Sequence, residues 1–106
     1  MEGITARHHS IIGEALTLAV AVDMSLPPER QAASNRADMR DFLCTRYSPA
    51  EIATYARSAH RKTGLPVTAF YGGDEQGTDA HKIFWDTLAV LSQAADWAEA
   101  QDKLAR

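Results

Sequence analysis

Four histidines, a single cysteine and a handful of carboxylates are the side chains of this 106-residue chain that could do chemistry. Asp79-Ala80-His81, with Asp86 a little over one turn further on, could offer ligands to a divalent cation. The spacing fits neither His-Glu-x-x-His nor a paired Cys-x-x-Cys, and His8 with Glu14 does no better. Surface or partly buried histidines are the simpler reading, so no metal site is expected. Cys44 follows Phe42-Leu43, where a small buried hydrophobe is the natural role for a thiol with no disulfide partner. Nothing nearby in sequence would clearly depress its pKa. There is no Gly-x-Ser-x-Gly elbow. Gly72-Gly73 and Gly77 lack the lysine and the preceding strand of a phosphate loop, and Asp74-Glu75 has no apolar wall to raise a carboxyl pKa. The expectation is a protein that is not an enzyme and needs no cofactor.

Binding chemistry is better represented. Trp85 falls on the polar side of the last helical segment, away from its apolar stripes. It is expected either to lie under the connector that precedes that helix, the favoured reading, or to serve as a contact residue. With Asp86, Tyr71, Asp74 and Glu75 it would form an aromatic and acidic patch suited to a basic partner surface, in competition with nucleic acid. The other candidate set is Arg57, His60, Arg61 and Lys62. Ser48-Pro49-Ala50-Glu51-Ile52-Ala53 resembles the opening of helix-turn-helix units in many bacterial regulators. That resemblance implies a DNA-binding role for the helix at 49–63, with those basic residues at the nucleic acid. The likeness covers six residues. Helical residues then run on to Thr63 before Gly64, where such units have an earlier turn glycine, and the arginines sit late in the would-be recognition helix.

Composition bounds both readings. Hydrophobic content of 45% and charged content of 24% are those of an ordinary globular domain. A net charge of −3 argues against a generic nucleic-acid binder, which is usually strongly basic. The middle of the chain is basic, from Arg30 to Lys62, and the end from Asp74 is acidic. Lack of disulfide use points to the cytoplasm. One domain spanning 1–106 is expected, long enough for a single core.

The elements that must position these side chains read as helices throughout. The expected fold is all-α, a bundle of about four helices near 4–24, 28–46, 49–63 and 79–105, with an extended connector at 65–77. In the first, Ile4, His8, Ile11, Ala15, Leu18 and Val22 form a stripe at alternating four- and three-residue steps. The apolar run there is too short to cross a bilayer, so no membrane role is expected. Ala19-Val20-Ala21 looks like a signal-cleavage site, yet Glu14 interrupts the run and a retained core helix is preferred. The second helix presents Arg36 and Arg40 one turn apart, read as a solvated basic face. The third has the clearest local signature: Ser48 and Glu51 as a capping box, Pro49 in the first turn, and Gly64 as the left-handed cap. Val67, Ala69 and Tyr71 alternate like a strand but have no second strand to pair with. The last segment carries Phe84, Leu88, Leu91, Ala95 and Ala98 as one stripe, with Ile83, Val90, Trp97 and Leu104 beside it. The helices at 4–24 and 79–105 could pair with each other or with a second copy, giving a homodimer. In size and absence of chemistry the chain resembles the small helical inhibitors of phages and plasmids, anti-CRISPR proteins among them. That resemblance implies an inhibitor or adaptor of a larger, basic, nucleic-acid-processing complex.

Overall fold

Side-chain caps set where three of the helices begin. The computed structural model describes residues 5–67 and 80–105. Helix α1 (Ala6–Ser25) opens with a reciprocal cap in which the Thr5 hydroxyl accepts from the His8 N–H and His8 Nδ1 accepts from the Thr5 N–H. A short 3-10 turn at Pro28–Arg30 follows, and α2 spans Ala33–Arg46. Helix α3 (Pro49–Thr63) has the anticipated capping box. Glu51 N–H donates to the Ser48 hydroxyl at 3.2 Å, and Ser48 N–H donates to the Glu51 carboxylate at 2.9 Å. It ends at Gly64, whose φ of 72° is the left-handed region that suits glycine. Then come α4 (Ala80–Gln93) and α5 (Trp97–Leu104). The described residues are helical with no strand, an all-α bundle. No helix among them is long and apolar enough to cross a membrane.

Helix α3 is the middle of the bundle, with α1 on one side and α4 on the other. Its inward residues Ile52, Ala53, Ala56 and Ala59 are buried, and three of them are alanines, which lets both neighbours approach closely. Val20 and Ala21 of α1, Leu43 of α2, Phe84, Leu88 and Leu91 of α4 and Ala100 of α5 join them in the core, with Tyr47, Val67 and Ala94 from the connecting segments. Between α1 and α3, Gly13 is where the Tyr55 ring lies against the backbone; a Cβ there would meet the ring at 2.5 Å.

Three expectations need correcting. The helix anticipated at 79–105 is two helices, broken at Ala94–Asp96. Asp96 caps α5 by accepting from Glu99 N–H at 2.9 Å, while the Glu99 carboxylate accepts from Ala95 N–H at 2.6 Å. The break turns Ala95 and Ala98 out to solvent and lets the Trp97 indole donate to the Tyr47 carbonyl at 2.7 Å. The helix anticipated from 28 begins instead at Ala33, because Pro28–Arg30 closes a 3-10 turn first. Arg36, read as part of a solvated face, is 5% exposed. It donates to Asp23 at 2.6 Å and to the Gln31 side chain at 3.1 Å. Asp23 also accepts from the Ala32 N–H at 2.8 Å, so one carboxylate ties the end of α1 to the start of α2. Of the anticipated connector, Leu65 to Val67 are described, with Val67 buried; the rest lies outside the described residues, Tyr71, Asp74 and Glu75 included.

Candidate interaction surface on helices α3 and α4

The ends of α3 and α4 meet in a cluster of rings. His60 packs on Phe84 with centroids 4.9 Å apart, on Trp85 at 5.4 Å and on His81 at 5.6 Å, and Phe84 packs edge-on to Trp85 at 5.1 Å. Phe84 is buried and anchors the cluster in the core. Trp85 stands next to it yet is 48% exposed, so the favoured expectation of a covered tryptophan is corrected: its ring is supported from below and open above. An indole held by neighbouring rings loses little freedom on docking, which is what makes such residues effective contact points.

The charged rim has two sides. On α4, Lys82 and Asp86 form an exposed i,i+4 pair at 2.6 Å. On α3, Arg57 donates to the Ser92 hydroxyl at 2.7 Å near the end of α4 while His60 meets the rings near its start, so α3 and α4 run antiparallel, and exposed Arg61 lies one turn beyond Arg57. Lys62 turns the other way and pairs with Glu14 of α1, which also accepts from Ser58 at 2.7 Å. The Lys62 and Ser58 hydrogen bonds hold the Glu14 carboxyl below its usual range. His60 of one site set and Trp85 of the other are therefore in contact at the α3–α4 junction, which Arg57 also joins through Ser92, while Lys62 serves the α1–α3 junction. The Nδ1 of His60 is buried and has no hydrogen-bond partner among the described residues. No sequence signal pointed to this cluster as a unit, since His60 and Trp85 belong to different helices.

Two other places were open to chemistry. The Cys44 thiol is half-buried, and desolvation pushes its pKa up to about 11, so it is protonated at neutral pH. An open concavity between α1 and the α2–α3 turn is lined by Ala6, His9, Ser10, Arg46, Tyr47, Glu51 and Tyr55. Three of its polar groups are already engaged: the Tyr47 hydroxyl donates to the His9 carbonyl at 2.6 Å, the Glu51 carboxylate caps α3, and the Arg46 guanidinium stacks on Phe42 at 4.4 Å. Among the described residues no group of three or more His, Cys, Asp or Glu side chains is placed to hold a metal ion. Comparison with known protein families, with curated proteins and with solved structures finds no match.

Proposed function

We propose that this protein is a non-enzymatic binding module whose contact surface is the α3–α4 face centred on Trp85. The observation that carries the reading is a half-exposed indole buttressed by His60 and Phe84 and rimmed by charge. Aromatic anchors of this kind supply much of the energy of protein–protein contacts. The partner we favour is a larger, basic, nucleic-acid-processing protein complex, with this chain as inhibitor or adaptor. The net charge of −3, with exposed Asp86 on α4, Asp96 capping α5 and Asp102 on α5, supports a basic counterpart that this chain would occupy in place of nucleic acid.

One observation keeps a second reading in play. His60 packs on the indole, Arg57 and Arg61 stand within one turn of His60 on α3, and cations near an exposed aromatic ring also suit a nucleic-acid strand. Against a groove-reading helix, α3 is flanked by α1 and α4, and its first turn carries Glu51 where phosphates would approach. The two readings respond oppositely to charge. Partner capture from a bacterial lysate should weaken for Asp86→Lys and survive Arg57→Glu with Arg61→Glu if the partner surface is basic. The reverse pattern, with nucleic acid recovered, would transfer the function to the second reading.

A further inference from the structure

The solvent side of α1 is apolar over three turns. Ile11 is 52% exposed and Val22 48% exposed, Ala15 is exposed, and Ala19 and Leu18 are partly so, Leu18 at the edge where it also packs on the core. The buried side of the same helix is made by other residues, Gly13, Thr17, Val20 and Ala21. Both acids of α1 turn away from the open side: Glu14 reaches Ser58 and Lys62, and Asp23 is held by Ala32 and Arg36. Between Ser10 and Val22 this face therefore presents no charge. The matching stripe of α4, by contrast, is used inside the chain, since Phe84, Leu88 and Leu91 are buried.

We infer that this face is a self-recognition surface, occupied by α1 of a second copy running antiparallel about a two-fold axis. Ile11, Ala15, Leu18 and Val22 follow the four-three-four spacing of a coiled-coil seam. The spacing is symmetric about its midpoint, between Ala15 and Leu18. An antiparallel copy thus sets Ile11 opposite Val22 of the partner subunit and small Ala15 opposite Leu18 of the partner subunit. Each position meets a different one, as a two-fold contact allows, and the alanine makes room for the leucine. The ends agree as well. Helix α1 has no basic residue in its last turn, and the pairing brings exposed Arg7 of one chain to the C-terminal carbonyls of the other, where cations are favoured. This surface is separate from the α3–α4 face and does not depend on the function proposed for it.

A single helix pair lies near or below the ~1,200 Å² at the low end of stable interfaces, so the expected dissociation constant is micromolar. The test is sedimentation equilibrium of the full chain from about 5 µM to about 500 µM. The wild type should pass from monomer to dimer. Ile11→Lys and Val22→Glu are both at exposed positions, so each should keep the wild-type circular dichroism while weakening the dimer at least tenfold. Combining the two in one chain should restore association, because the antiparallel seam opposes unlike charges. A wild-type chain that stays monomeric overturns the inference. So does a dimer indifferent to both single substitutions, or one that the double substitution fails to restore.

Discussion

Gly13 shows how much a single residue decides here. The Tyr55 ring occupies the space a Cβ would need, so α1 and α3 approach as they do only because position 13 is bare. Gly13→Ala would gain about 1 kcal/mol of helix propensity and lose more to overpacking. We expect a net loss of about 1–2 kcal/mol in denaturant unfolding, smaller when Tyr55→Leu is present, because contacting sites are not additive. The Asp23 carboxylate is a second such residue. The Ala32 N–H, followed by the Arg36 guanidinium, holds its pKa below the ordinary 3.8. Its contribution to stability is present above that value and is lost as pH falls through the lowered one. Thermal melting from about pH 5 to about pH 2 should show this acid limb, and Asp23→Asn should flatten it. Cys44, with its pKa near 11, should react slowly with a disulfide reagent at neutral pH and quickly once the chain is unfolded.

At the scale of elements, α3 was legible because all its signals are local. Ser48, Pro49, Glu51 and Gly64 act within a turn of themselves. The break before α5 carries the same kind of signal, since Asp96-Trp97-Ala98-Glu99 repeats the three-residue spacing of Ser48 and Glu51. It was hidden because the apolar period runs on through Ala94–Asp96 as if the helix were continuous. The break is accompanied by the Trp97 bond to the Tyr47 carbonyl, a contact between residues far apart in the chain. Arg36 was misread for the same reason: helical spacing reveals neighbours on α2, and its partner Asp23 is on α1. Asp96→Ala should cost about 1 kcal/mol, the usual value of a lost N-cap, and should loosen α5 selectively. Amide exchange that rises in 97–104 while 49–63 stays protected would be the sign of it.

At the scale of the whole molecule, the candidate surface was half legible. Trp85 stands off the apolar stripes in the sequence, and the arginines of α3 follow from the helix-turn-helix resemblance. The contact of His60 with Trp85 follows from the antiparallel packing of α3 and α4, which neither stripe encodes alone. We propose that this face, with Trp85 at its centre, holds a protein partner. Trp85→Ala removes a half-exposed side chain and leaves buried Phe84 in place, so the variant should remain folded. The most direct measurement is affinity capture from a bacterial lysate with wild type and Trp85→Ala side by side, before and after nuclease, read by mass spectrometry. We predict a stoichiometric protein partner that survives nuclease with the wild type and is lost with the folded variant. A partner retained by Trp85→Ala, or one released from the wild type by nuclease, would contradict the claim.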